Sequence, residues 1–587
     1  MLGDGATANG DIKGGRMAGE PKEPKDGPGA AESGQAESGQ AGPGQAGPSR
    51  VVTRRVFLGA TGVAVVGVPV LASQAAAEGP GLLRQPAIAG APPPEQLHVQ
   101  FGADAAREVA VSWATQERVV RPRLRLGRHG EGFGTEVDAE ERVYVEALTG
   151  QTVWTYHATL DRLRPAADYI YQVHHRGAAP LGGRFRTGPA GRGRFRFTSF
   201  GDQAVPAPVG QGLGPSSPNA GFIVDAVEAL DPLFHLVNGD LCYANVSDDP
   251  VATWQRFFAN NMRSARARPW MPCAGNHENE VGNGPQGMLG YQTRFALPNN
   301  GSGEPAFVGN WYAFTVGSVR VVSINNDDVC VQDGGFSAFR RDHVPGYAAR
   351  GLDPYVRGYS GGAQRAWLEA TLADARAADD IDWIVVCMHQ VAMSSAHFNG
   401  ADLGVREQFL PLFDRYGVDL VLAGHEHHFE RTFPVRGTLP GSALLTPAPR
   451  DDNPTVIDTT QGAVHMIIGG GGHPGFTSPD RFDSPHDGVV IYGVGPGSPT
   501  SQHGALTTTE PAPWSAYRDL TNPYGFAAFD VDPYAAGDAT TMTVTHYGAA
   551  AGSPTYTPLD QFTLRRPRTR RAHRSAQPSQ AGAARPG

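Results

Sequence analysis

Between Leu97 and Gly188 hydrophobic and polar positions alternate in short runs: LHVQFG, EVAVSWAT, RPRLRLGR, RVYVEALT, TVWTYHATL, DYIYQVHHR and GGRFRTG, with turn-forming residues between them. Side chains on a strand point alternately to its two faces, so a period of two predicts strands with one buried face. Seven such runs at close spacing predict a small all-β sandwich over residues 94–189. No constellation of reactive side chains falls in it, so a structural or docking role is expected there.

From Arg194 the pattern changes. Apolar runs now end in polar, metal-capable groups: RFRFTSFGD at Asp202, PLFHLVNGD at Asp240, ARPWMPCAGNHE at Asn276 and His277, IDWIVVCMHQ at His389, and VDLVLAGHEHH at His425 and His427. Between them lie GAQRAWLEATLADARAADD and REQFLPLFDRYG. In the second, Phe409, Leu412, Phe413 and Tyr416 recur at helical spacing and Gly417 supplies a C-cap. Strands alternating with helices predict an α/β layered fold. Beyond Arg431, AVHMIIGGGG reads as a strand ending in a glycine-rich turn, and YGFAAFDVD, TMTVTHYG and LDQFTLRR read as closing strands, so this domain is expected over 193–565.

The chain ends differ in composition. Residues 1–50 are rich in Gly, Pro, Ala and Glu, repeat AESGQ, and have too little apolar surface to fold. Residues 51–77 hold Arg54-Arg55, a mildly apolar run broken by Pro69, and Ala75-Ala76-Ala77. This resembles a twin-arginine export signal and predicts a secreted or cell-envelope protein. The apolar run is short for a bilayer span, and no later stretch is long enough, so no stable membrane span is expected once the signal is removed. Residues 78–93 read as a Pro/Gly linker, and 566–587 as a basic, solvated tail. A net charge of -9 gives no reason to expect a nucleic-acid partner. The four cysteines show no CxxC spacing, which argues against a zinc knuckle or a disulfide framework; one pair could bridge, and the sequence does not say which. Oligomeric state is not encoded in any of these features.

The chemistry lies in the strand ends. Any one of them reads as an ordinary turn aspartate or a satisfied core histidine. Open α/β sheets bind ligands at the carboxyl ends of their strands, so five such ends in order can bring their polar groups together. Packing alone does not ask for that set.

The blocks FGD, NGDLCYAN, GNHE, CMHQ and GHEHHFER resemble the five ordered blocks of the calcineurin-like metallophosphoesterases, most nearly those of the purple acid phosphatases. The resemblance spans about residues 193–475 and extends to QRAWLEATL and VHMIIGGGGHPG. It implies a layered β-sandwich flanked by helices for this domain. The preceding β-module resembles a fibronectin type III domain, through VAVSW, DYIYQV and a tyrosine-corner run LRPAADYIYQV, and such a module is typical of the larger members.

By position, the resemblance implies a first metal held by Asp202, Asp240, Tyr243 and His427, and a second held by Asp240, Asn276, His389 and His425, with Asp240 bridging. The donor types agree. Two carboxylates and an ionised phenol suit a hard trivalent ion, Fe(III), whose charge transfer from the phenolate would colour the protein purple. A shared carboxylate, an amide and two imidazoles suit Zn, Mn or Fe(II). The first block departs from the Asp-x-His of many relatives: Asp202-Gln203-Ala204 offers no histidine, which leaves Tyr243 to complete site one. Alanine stands at 204 where purple acid phosphatases usually have glycine. His428 is given no metal role. Cys242, between Asp240 and Tyr243, is expected to face away if that segment is extended.

The implied function is an exported acid phosphatase: phosphomonoester hydrolysis by a metal-bound hydroxide, with a phosphate ester as substrate. His277 resembles the family's phosphate-facing histidine, and His397 is expected near a second one. Glu278, Glu426 and Glu430 are read as supporting residues. The alternatives are a phosphodiesterase acting on nucleotides or lipid head groups, which the same metal core would serve, and a non-catalytic wall-associated protein that binds metal or phosphate.

Overall fold

The computed structural model describes residues 90–569 apart from 129, 209–210, 212–213, 281–286, 332–356, 397–398, 475–486 and 496–504. The predicted low-complexity head and export signal, the linker up to residue 89, the tail from residue 570, and His397 lie outside the described residues. No helix among the described residues is long and apolar enough to cross a membrane.

The alternating runs build two four-stranded antiparallel sheets. One orders Glu95–Phe101, Val109–Thr115, Thr152–Leu160 and Glu140–Val145; the other orders Gly132–Asp138, Arg123–Arg128, Asp168–His174 and Leu181–Arg186. Val111, Trp113, Leu124, Tyr156, Tyr171 and Val173 fill the space between them. The Tyr169 hydroxyl accepts from the Arg164 backbone N–H at 2.8 Å, which closes the tyrosine corner. One strand escaped the alternation rule: Gly132–Asp138 is exposed almost throughout, so it has no buried face to mark it. Backbone pairing to Arg123–Arg128 holds it, with cross-strand ion pairs Arg125–Glu136 (3.2 Å) and Arg123–Asp138 (2.9 Å).

The second domain contains two seven-stranded mixed sheets. The first orders Trp270–Pro272, Phe234–Val237, Phe195–Phe200, Tyr524–Ala535, Ala539–Ala549, Thr557–Pro567 and Val456–Asp458. The second orders Tyr312–Val316, Val319–Ser323, Trp383–Cys387, Leu420–Ala423, Val464–Ile468, Phe429–Thr432 and Ser515–Asp519. Period two explains how they stack. Trp383, Val385 and Cys387 share one apolar core with Phe197, Phe529 and Leu564 of the first sheet. Their neighbours Ile384 and Val386 share another with Leu368 and Leu372 of the helix Ala363–Ala377 and with Leu412 and Phe413. A strand covered on both faces reads as a continuous apolar run, which is why IVVC and LVL do not alternate in the sequence.

The run REQFLPLFDRYG is not one helix. It divides at Phe409 into Leu403–Gln408 and Leu410–Tyr416, because Pro411 has no N–H for the helical ladder and is accommodated only in a new first turn. Gly417 caps the second piece at φ 62°, as its position suggested. The bridge left open among the cysteines is absent: all four are buried free thiols. The last strand runs to Pro567, and Arg566 and Thr569, assigned to the tail by composition, bond to Asp419 (2.6 Å) and Asp382 (2.9 Å).

Candidate metal centre

Trp270–Pro272, Phe234–Val237 and Phe195–Phe200 are parallel neighbours, and so are Trp383–Cys387 and Leu420–Ala423. Their carboxyl ends deliver Asn276, Asp240, Asp202, His389 and the pair His425 and His427. Backbone bonds from Asp202 to Gly239 (3.0 Å), Gln203 to Asp240 (3.2 Å) and Ala204 to Leu241 (3.0 Å) zip the first two loops together. The Glu278 carboxylate ties in the next, accepting from the N–H groups of Asp240 (2.8 Å), Leu241 (2.8 Å) and Gly275 (2.7 Å).

The loops are strained where the chemistry is expected. Asp202, Ala204, Asp240, Tyr243 and His425 all adopt left-handed backbone conformations, at φ 58°, 62°, 52°, 60° and 71°. Each costs on the order of 1–2 kcal/mol for an L-residue, and such residues persist where the surroundings over-determine them. With Tyr243 in the left-handed region, its hydroxyl reaches Asp202 Oδ1. The segment is therefore not extended, and Cys242 avoids the centre for another reason: it is buried in the apolar core.

Two groups of donor atoms result. In the first, Tyr243 Oη lies 3.1 Å from Asp202 Oδ1 and 3.1 Å from His427 Nε2, and His427 Nε2 lies 3.3 Å from Asp202 Oδ1. In the second, His389 Nε2 lies 3.1 Å from Asp240 Oδ2, and His425 Nδ1 lies 3.0 Å from Asn276 Oδ1 and 3.3 Å from His389 Nε2. Donors about 2.1 Å from a common ion are separated by about 3.0 Å in octahedral and about 3.4 Å in tetrahedral geometry. The spacings therefore match what a shared cation imposes, and Asp240, His389 and His425 form a compact metal-capable triplet.

The electrostatics ask for the same thing. Burial and then the charge of Asp240 push the Asp202 carboxyl up, while His389 holds Asp240 low despite burial. Against the effect of burial, the charge of Asp240 and then that of Asp202 drive His389 up to about 10. Burial, then Asp202 and Asp240, push the Tyr243 phenol well above its ordinary range. Buried carboxylates facing a protonated phenol form a set that a cation stabilises. His389 Nδ1 bonds to the Asn238 carbonyl at 2.7 Å, which turns Nε2 inward.

His277 borders this set. Its Nδ1 lies 2.7 Å from Asn245 Oδ1, its Nε2 3.8 Å from Asp240 Oδ2, and burial lowers its pKa to about 4. His428 turns to Glu430, 3.4 Å away, and Gln203 pairs with Asn261 at 2.8 Å, so neither joins the donors. Glu426 accepts from Ser394 Oγ and from the Asn399 N–H, both at 3.2 Å, bracing the segment on either side of residues 397–398. The sequence reading missed His473, whose ring lies 4.0 Å from that of His427 and 4.6 Å from that of Tyr243. Its available signal was its position as the first side chain after four glycines.

The family model described as calcineurin-like phosphoesterase matches residues 218–429, and the one described as purple acid phosphatase, N-terminal domain, matches 94–187. An uncharacterized protein of Mycobacterium tuberculosis is 50% identical over 518 residues, covering 86% of this chain and 93% of the relative. Mouse (Mus musculus) acid phosphatase type 7 is 24% identical over 402 residues, covering 65% of this chain and 78% of the relative. The structure of a purple acid phosphatase from yellow lupin (Lupinus luteus) seeds superposes with a TM-score of 0.59 at 18% identity, covering 81% of this chain and 75% of that one.

Proposed function

This chain belongs to the calcineurin-like phosphoesterases, in the branch that carries the purple acid phosphatase N-terminal domain, and from that premise we propose that it is an exported, binuclear-metal phosphatase acting on phosphate monoesters. The family is one of phosphoester-hydrolysing enzymes, and a phosphate ester is the substrate class it implies. The observation that carries the finer reading is the pair of donor groups spaced at 3.0–3.3 Å, Asp202, Tyr243 and His427 in one and Asp240, Asn276, His389 and His425 in the other. In this reading Asp202, Tyr243 and His427 would hold one ion and Asn276, His389 and His425 the other, with Asp240 shared between them. The hard oxygen donors of the first group support Fe(III), and the imidazole-rich second group supports Zn, Mn or Fe(II).

Bound there, the two metals supply Lewis acidity at the phosphoryl oxygens and an activated water as nucleophile. The chain does the rest. His277, fixed through Nδ1 by Asn245, presents Nε2 beside Asp240, where it would face a phosphoryl group held at the metals and could stabilise it or protonate the departing oxygen. Glu278 and the left-handed loops keep the donors from relaxing away from one another. Arg54-Arg55 and the apolar run after them support export by the twin-arginine route.

The test is metal analysis and a visible spectrum of aerobically purified protein, followed by hydrolysis assays with an aryl phosphate monoester and the matching diester. Two metals per chain, a visible band and preference for the monoester are expected. A colourless, iron-free protein would remove Fe(III) from site one, a diester preference would replace the monoesterase reading, and full activity in Asp240→Asn would end the binuclear one.

A further inference from the structure

Ile468 ends its strand, and Gly469 to Gly472 follow. The glycine run lies flush along the loop that carries Asp202. Gly471 N–H bonds to the Gly201 carbonyl and His473 N–H to the Asp202 carbonyl, both at 2.8 Å. A Cβ on Gly471 would lie 2.2 Å from the Gly201 carbonyl oxygen, and one on Gly472 would lie 2.4 Å from that of Gln203. Ser217 Oγ closes the run from the other side by bonding to the Gly472 carbonyl. The run therefore has little room to shift, and the first side chain it delivers is an imidazole.

His473 reaches every member of the first donor group, through its backbone or its ring. Its backbone bonds to Asp202, its ring packs on His427 at 4.0 Å and 47°, and on Tyr243 at 4.6 Å and 45°. The ring of Tyr243 also contacts His277 at 4.3 Å. His473 Nδ1 donates to the Pro474 carbonyl at 3.1 Å, which fixes the ring plane. His427 and Tyr243 come from different strand ends, so their mutual angle depends on what packs against both.

We propose that His473 is a positioning residue for metal site one, holding the rings of Tyr243 and His427 at the angle their donor atoms need, through ring packing. The inference rests on the binuclear reading above. It assigns His473 no contact with substrate and no ligand bond. It also gives the four glycines a purpose: they bring the chain close enough to Asp202 for the next ring to reach both donors.

The experiment is calorimetric titration of the metal-stripped full chain with Zn2+, alongside the ultraviolet difference signal of phenol ionisation. The wild type is expected to take up two ions. His473→Ala should bind one ion as the wild type does and the other about tenfold or more weakly, with the phenol signal displaced to the same higher concentration. His473→Phe keeps a flat ring without nitrogens and should restore both to within about threefold of wild type. Two unchanged affinities in His473→Ala would overturn the inference while leaving the binuclear reading intact. A Phe variant as weak as Ala would overturn it too, by moving the role from the ring to a nitrogen. A wild-type chain that binds fewer than two ions would instead defeat the reading on which the inference stands.

Discussion

Tyr243 donates its phenolic proton to Asp202 Oδ1 across 3.1 Å, and both groups are fully buried. Burial and the two aspartates hold the phenol well above its ordinary pKa, so it stays protonated until a cation takes the proton's place. Metal uptake should therefore release a proton from this phenol. Calorimetry in buffers of different ionisation enthalpy should show one proton fewer released by Tyr243→Phe than by the wild type. Equal release would take Tyr243 out of the donor set.

Glu278 spends one carboxylate on three backbone N–H groups from two loops. Glutamine would offer one acceptor oxygen and turn an NH2 toward the remaining donors. Leaving a buried donor unpaired costs about 1–3 kcal/mol. Glu278→Gln should lower stability in urea by that amount and weaken metal binding by about 10–100-fold, although Glu278 is assigned to neither ion. A variant with wild-type metal affinity would show that the loops hold their shape without it.

Ala204 sits at φ 62°, fully buried, with its N–H on the Leu241 carbonyl. A methyl group in the left-handed region is strained, and glycine is not. Ala204→Gly should raise stability by about 0.5–1 kcal/mol, less than the strain alone because glycine also loosens the unfolded chain. Urea melts would read it, with metal affinity unchanged. A destabilised variant would mean that the methyl group's packing outweighs its strain.

What the sequence made legible and what it hid divide along the same lines. The five apolar runs ending in Asp, Asn or His were visible because parallel strands must bring their carboxyl ends to one edge, and the structure brings those ends together. The tyrosine corner was visible because its partner is local. His473 was not, because its neighbours Tyr243 and His427 are distant in sequence and only the seating of the glycine run against Gly201 joins them. Gly132–Asp138 was not, because an exposed edge strand is defined by its partner's backbone and not by its own side chains. The break at Phe409 needed the proline weighed above the periodicity.

The seam between the two domains contains histidines that must stay neutral. His98 Nδ1 lies 2.6 Å from the Gln96 carbonyl and its Nε2 3.0 Å from the Arg294 carbonyl; a neutral ring donates to only one of them, and burial outweighs both contacts and lowers its pKa to about 4. His157 bonds to the Thr293 carbonyl at 2.9 Å and is lowered in the same way. Unfolded, each titrates near 6.5. Between those values the unfolded chain binds protons that the folded chain refuses, so stability is full above about pH 6.5 and falls as pH drops toward 4. His98 alone accounts for up to about 3 kcal/mol of that loss. Urea midpoints from pH 7 to 4 should fall more steeply in the wild type than in His98→Gln, which starts less stable. Parallel slopes would show that His98 takes up its proton in the fold. An enzyme working at acid pH would therefore work against its own domain seam, and bound metal would have to offset the loss.

The same opposition can be measured at the centre. Without cations, a second buried negative charge beside Asp240 is disfavoured: burial plus Asp240 raise the Asp202 carboxyl well above its unfolded value, with His389 opposing them. The sign is the reverse of the usual salt-bridged aspartate. Once the pH exceeds the unfolded pKa near 3.9, the unfolded chain gives up a proton that the fold retains, so Asp202 lowers metal-free stability as pH rises. Asp202→Asn removes that titrating carboxyl while keeping an acceptor for the His425 N–H, which now bonds to Asp202 Oδ2 at 3.0 Å. In the presence of a chelator the variant should melt above the wild type at neutral pH, and the gap should close toward pH 4. On adding Zn2+ or Mn2+ the order should invert, because binding stabilises the wild type by mass action and the variant has lost a donor. A wild type that melts higher in both conditions would mean that the aspartate is satisfied without a cation, and that the donor groups form an ordinary hydrogen-bonded core.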